Sequence, residues 1–495
     1  MATIEDVDLL IERGTVITVD AERRIIEDGA LAVRDKRIVA VGTTAELRSR
    51  FRAARTLDAH RKAVLPGLVD AHAHAGHGLL KTIGAGDTAA WTEACRVVYT
   101  VASDEDFWHA EARLAALERL RCGTTTGVCL FGGGDDIMRV DDPQYAARHG
   151  DAIEQAGTRS MLAVGPAQPP APRTYARWGA DGRTEHAVSF EQMLETCTEI
   201  VRSQHGRGEG RVNICITLPV YRPEYAPEQR EQAGLFRRLA RDYGDLARRH
   251  DLAFTQDGHR GGTLKLAQEE LGLLGPRSFM SHSIDLREVD FRACLDTGTS
   301  IVHNPSAIMS IRGRCPAPEL IEAGVNVALG SDGIAPDRSY DMFRHMWQAM
   351  HYHRRHFRDA LVLPHGKVLE MATIDGARAL GLADEIGSLE VGKRADIILV
   401  DLFKPHLMPL NMPLYRVTCF ATGADVCTTI VDGRVLMEDG KVLTLDEAEV
   451  MEEAQAATER MLDRAGLRDL LRTPDSAWRG AHYAGVLPAP PAAAA

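Results

Sequence analysis

Short apolar or alternating runs, divided by the polar turns ERG, DAERR and DK, occupy residues 7–11, 14–19, 29–34 and 37–41. Period-two runs bounded by turn residues predict strands, and four in so little chain predict a small sheet. From residue 62 the pattern becomes strand, loop and helix in repetition. Strands are predicted at 63–69, 125–131, 160–164, 212–218, 253–256, 279–282, 300–303 and 325–330. Helical periodicity lies between them, as at 104–121 (with Ser103 as its N-cap), 228–250 and 367–380. Eight sequential crossovers fit an α/β fold with a closed (β/α)8 TIM-type barrel better than an open sheet.

Beyond residue 382 strands and turns return, at 387–389, 395–401, 426–431 and 434–437. Two flanking β segments, residues 1–62 and 385–443, predict one small composite β-sandwich domain built from both chain ends around a barrel of residues 63–384. Residues 445–471 read as a long charged helix, with Thr444 and Glu447 spaced as a capping box, in a C-terminal helical segment 444–475. Residues 486–495, rich in Pro and Ala, are expected to be disordered.

Composition narrows the partners. The net charge is −12 with no long basic run, which argues against nucleic acid and anionic membranes. No run of eighteen apolar residues predicts a membrane span, and the acidic N-terminus does not resemble a signal peptide. Nine cysteines without a CxxC argue against a disulfide framework or a thiolate zinc site, and suit reduced thiols in the cytoplasm.

The chemistry concentrates where strands end. His72 and His74 are alternate residues at the end of the first predicted barrel strand, so both point inward and can chelate one ion. His282 follows the apolar run Phe279-Met-Ser, and Asp332 follows the run from Val325. An Asp buried there needs a partner; ligation of a divalent ion and general-base catalysis explain it better than capping of the next helix. Two His and an Asp leave positions open for water, and Asp332 can take its proton while His282 orients it.

At these residues the chain resembles the amidohydrolase superfamily, in the branch of cytosine and guanine deaminases and triazine hydrolases. The likeness runs from about residue 7 to 460. It is carried by PGLVDAHAH at 66, CGTTT at 122, HNP at 303, EAGVNVALGSDG at 322, EMATIDGARALG at 370, GSLEVGKRADIILVD at 387 and VDGRVLMEDGKV at 431. It implies a metal-bearing barrel, a composite β domain, self-association into a homo-oligomer, and ligands at His72, His74 and Asp332. Members with two metals bridge them through a carbamylated lysine on the third or fourth strand. Only eight of the 58 basic residues are lysine, and none lies between Lys81 and Lys265. One metal ion is therefore expected. Zinc is the default by ligand type, with iron, manganese or cobalt also compatible.

The chain departs from that branch on the fifth strand, which usually ends HxxE. Here the segment is Phe254-Thr-Gln256-Asp-Gly-His259, so Gln256 takes the His position and His259 the Glu position. Either His259 reaches the metal from a Gly-rich loop while Gln256 binds substrate, or the ligand is lacking and His259 serves as acid and base. Ligation by His259 is preferred, because histidine is the commonest ligand and the glycines permit unusual loop geometry. Ser306-Ala after HNP replaces the branch's Ser-Asn pair. Weaker expectations are that His77, Trp91 and His303 contact substrate, and that His345, His351, His353 and His356 form a polar helix face. Arg222 and Arg260 suit an anion, in a chain with many arginines. The expected protein is a mononuclear metal-dependent hydrolase of a non-peptide C–N bond in a small molecule. The alternatives are a deaminase or dehalogenating hydrolase of an N-heterocycle with a relocated proton shuttle, and a metal-poor scaffold.

Overall fold

The computed structural model describes residues 4–473 apart from 86, 134–137, 308 and 337, together with residues 475–478. The tail at 486–495 lies outside the described residues. Eight parallel strands follow one another around a barrel: Leu68–Asp70, Thr124–Leu130, Arg159–Val164, Val212–Thr217, Phe254–Gln256, Ser278–Ser281, Ser300–His303 and Val327–Leu329. Ala71 N donates to Leu329 O at 3.0 Å, which joins the first strand to the last. Apart from the half-buried Asn213, the strands are buried because helices cover their outer faces, and Val69, Val128, Ala163, Cys215 and Val302 belong to one buried cluster.

The first predicted barrel strand divides. Lys62–Pro66 belongs to a second, nine-stranded sheet, and only Leu68–Asp70 enters the barrel. The break falls at Gly67, where a Cβ would lie 2.2 Å from Thr125 Oγ1, so the chain passes too close to the second barrel strand for any side chain. Lys62–Pro66 pairs antiparallel with Ile397–Asp401 and parallel with Glu5–Ile17, which joins both chain ends in one sheet. Residues 387–389 form no strand in it.

Other expected boundaries move for local reasons. Asp104, not Ser103, caps the helix Glu105–Arg121, because Ser103 Oγ accepts from Trp108 Nε1 instead. The expected helix at 367–380 breaks into His365–Met371 and Ile374–Ala379, where Ala372 O turns to accept from Val69 N at 2.8 Å. The C-terminal helix is Glu447–Ala465, shorter than expected. Asp446 caps it, since Thr444 Oγ1 donates to Ala156 O, and Gly466 at φ 67° ends it. The antiparallel pair Arg173–Gly179 and Gly182–Val188, after the third barrel strand, was not expected.

Candidate active site

The floor of the site forms at the C-terminal ends of the barrel strands. His72 and His74 leave the first strand on one face, with Nε2 atoms 3.6 and 3.2 Å from Asp332 Oδ1. Asp332 follows the eighth strand, and its N–H donates to His72 O at 2.8 Å. His74 Nδ1 donates to Gly132 O at 2.9 Å, which leaves Nε2 as the ring nitrogen directed at the carboxylates. Gly132, directly after the second barrel strand, thereby fixes the orientation of this ring.

The fifth strand supplies a residue that sequence register passed over. Asp257, not Gln256 or His259, faces the site. Its carboxylate lies 3.5 Å from both His72 Nε2 and His74 Nε2, and 2.9 Å from His282 Nε2. Gln256 Nε2 donates to Leu218 O and Pro219 O, which turns its side chain into the barrel wall. His259 Nδ1 lies 2.9 Å from Thr263 Oγ1, and His259 is in neither metal-ligating group found among the described residues. Those groups are His72, His74 and Asp332, and His72, Asp257 and His282. A signal for Asp257 exists in the sequence: Gly258 follows it at φ 91°, letting the chain turn directly after the strand so that the next side chain points inward.

Electrostatics follow from five titratable side chains in one buried place. Burial opposes ionisation of Asp257 and Asp332, but the imidazoles of His282, His72 and His74 outweigh it and hold both carboxyls low. Burial likewise opposes charging of His74 and His282, and the two carboxylates raise both. His72 Nε2 is buried without a hydrogen-bond partner. Four ligand atoms around a zinc ion with bonds of ~2.1 Å stand ~3.4 Å apart, and the observed separations of 3.2–3.6 Å at His72, His74 and Asp332 fit that spacing. The donor set of imidazole and carboxylate suits a divalent ion.

Above this floor is a cavity of about 450 Å³. His77 and Trp91 line it, as expected; His77 stacks on His74 at 4.8 Å and meets Trp91 edge-on at 5.2 Å. Both His77 ring nitrogens are unpartnered, and burial, then the neighbouring His74 and Arg338, keep the ring neutral. Gly333 allows this placement: a Cβ there would lie 1.9 Å from His77 Nδ1. His303, Gln256 and His259 are not among the lining residues. His303 Nε2 instead sits 3.1 Å from His353 Nε2, both rings buried. The helix Met342–Phe357 therefore presents His345 and His353 inward, against the expected polar face, while His351 and His356 are exposed.

Comparison with known proteins agrees with this architecture. The Amidohydrolase family matches residues 63–436, and an imidazolonepropionase-like composite domain of bacteria matches residues 29–54. The chain is 32% identical to a 5-methylthioadenosine/S-adenosylhomocysteine deaminase of Syntrophobacter fumaroxidans over 461 residues, covering 90% of this chain and 96% of that one. It is 31% identical to a 5'-deoxyadenosine deaminase of Methanosarcina mazei, over 92% of this chain and 99% of the relative. Among solved structures, a zinc-bound adenosine deaminase from Xanthomonas campestris superposes with a TM-score of 0.77 at 27% identity, covering 93% of this chain and all of that one. The zinc complex of atrazine chlorohydrolase from Arthrobacter aurescens shares the fold, with a TM-score of 0.72 at 22% identity over 91% and 100%.

Proposed function

The chain belongs to the amidohydrolase family, and on that premise we propose that it is a metal-dependent hydrolase of a C–N bond on a small N-heterocycle, releasing an exocyclic amine. The observation that carries this reading is the convergence of His72 Nε2, His74 Nε2 and Asp332 Oδ1 beneath a cavity open to solvent. His72, His74 and Asp332 hold one divalent ion, zinc by donor type, with Asp257 taking the place expected of His259. When bound, the ion supplies Lewis acidity and a water able to lose its proton near neutral pH. Asp332 is placed to accept that proton and return it to the departing amine. His282, whose Nε2 donates to Asp257 Oδ1, holds that carboxylate at the floor, where it can orient the attacking water or support the charge that develops on its oxygen. His77 offers a neutral ring nitrogen to the substrate, and Trp91 a flat wall.

A single ion is supported by the lysine-free stretch across the third and fourth strands. A self-associating cytoplasmic protein is supported by the exposed Met408, Leu410, Met412, Tyr415 and Phe420, and by nine free cysteines. Among the described residues no helix is long and apolar enough to cross a membrane. The test is ammonia release by zinc-loaded enzyme across aminated purines, pyrimidines and triazines, with simple amides as the contrast. Release from at least one ring is expected, falling roughly 10²–10⁴-fold in Asp332→Asn. Ammonia from amides alone contradicts the reading, as does metal analysis giving two tightly bound ions per chain. With no Glu at position 259, a displaceable substituent other than an amine is the second reading, which the same assays report as halide.

A further inference from the structure

The cavity wall reverses the charge of the molecule. The chain carries −12 overall, yet four arginines line this cavity, Arg222, Arg260, Arg312 and Arg338. The carboxylates among its described lining residues are Asp257 and Asp332, both already engaged at the floor. Elsewhere arginines meet acids: Arg314, two residues past Arg312, pairs with Glu319, and Arg287 pairs with Glu224 at 2.9 Å. Arg260 and Arg312 differ. Neither has a carboxylate within 4.0 Å among the described residues. The Arg260 guanidinium instead lies 5.5 Å from the Tyr225 ring centroid and 3.9 Å from Met309 Sδ.

Arg260 is also held in place by its backbone. Thr263 Oγ1 donates to Arg260 O at 2.7 Å and accepts from Arg260 N at 3.0 Å. With its one proton so used, the same oxygen accepts from His259 Nδ1 at 2.9 Å. His259 O in turn accepts from Ile284 N at 3.0 Å. His259 thus acts as a latch for the loop that presents Arg260, so the backbone from which the guanidinium extends toward Tyr225 and Met309 is set before any ligand arrives. A fixed guanidinium matches the planar oxygens of carboxylate or phosphate, and one set in advance loses little on binding.

Resting on the C–N hydrolase reading above, we propose that the substrate is an N-heterocycle bearing an anionic group, carboxylate or phosphate, held by Arg260 and Arg312 at the cavity mouth. The positive wall also gathers anions from solution, so that part of the recognition weakens with salt.

The experiment uses zinc-loaded enzyme and three ligands that share one ring: adenosine, adenosine 5'-monophosphate and adenosine-5'-carboxylic acid. Calorimetric binding and ammonia release are read on each. One charged ligand binds roughly tenfold or more tightly than adenosine at low salt, and whichever does names the anion. That ratio shrinks at high salt and falls toward one in Arg260→Gln and Arg312→Gln. Charged ligands binding no better than adenosine, or a ratio untouched by both substitutions, overturns the proposal. Charge-selective binding without ammonia release from any of the three instead counts against the hydrolase reading for this ring. Equal binding of all three, with equal release from each, counts against the anion and leaves hydrolysis standing.

Discussion

Asp332 holds its backbone at φ 61° and His282 at φ 59°, in the left-handed region that side chains other than glycine rarely adopt. Each such residue costs about 1–2 kcal/mol, and both stand where the chain turns from a barrel strand into a site loop. Their neighbours fix the turn, since Asp332 N is tied to His72 O. The neighbouring Asp257 gives the sharpest residue-level test. Asp257→Asn is expected to weaken zinc binding about 10–100-fold in a chelator competition, and His259→Ala to leave it nearly unchanged; the reverse result would restore His259 as the ligand. The buried histidines away from the floor predict a pH dependence. Burial pushes His149 down to about 3, and His353 likewise to about 3. Both are neutral in the folded chain and gain a proton on unfolding below ~6.5. Their contribution is therefore complete above pH ~6.5 and is lost as pH falls toward 3, by about 1.4 kcal/mol per pH unit for each. Urea midpoints measured across that range should fall less steeply in His149→Gln; an unchanged slope would remove His149 from the account.

At the scale of elements, the loop after the eighth strand is anchored from the first. Asp70 Oδ1 accepts from Ser331 N at 2.9 Å, and its Oδ2 accepts from Ser331 Oγ and from Arg119 Nη2, both at 2.8 Å. Arg119 comes from the helix before the second strand and lies 4.0 Å from the Tyr340 ring centroid. The residue beside Asp332 is thus pinned by a buried ion pair. Asp70→Asn is expected to reduce zinc affinity about tenfold or more while the ligands themselves are intact; equal affinity with lowered stability would make the pair purely structural. These links explain what the sequence left open. Strands and most helices were legible because burial imposes period and turn residues bound it. Asp257 was not, because register assumes the strand continues straight, and Gly258 turns it. The inward His353 was hidden because polarity on a helix face usually means solvent, whereas here it meets His303.

Across the whole molecule, barrel and composite sheet are joined by charges removed from water. Arg159, on the third barrel strand, reaches Asp432 Oδ1 at 3.0 Å and Asp396 Oδ2 at 3.3 Å, and Arg394 also meets Asp432 at 2.9 Å. Burial pushes the Asp396 carboxyl up despite Arg159. Removing one partner of a buried pair strands the other, so Arg159→Met should destabilise the chain by about 3–5 kcal/mol in denaturant unfolding. A loss under ~1 kcal/mol would mean that water reaches the cluster.

The sequence by itself determined the barrel and the sheet shared by both chain ends, and it placed His72, His74 and Asp332 just past strand ends, since strand periodicity and strand-end position are local properties. It also shows that a bridge through a carbamylated lysine has no residue to form on between Lys81 and Lys265. Tertiary structure alone decided where the first strand divides and which arginines, among the described residues, meet no acid. Those outcomes depend on close approach between segments far apart in sequence, as at Gly67 against Thr125 or Gly333 against His77. No spacing along the chain encodes that proximity.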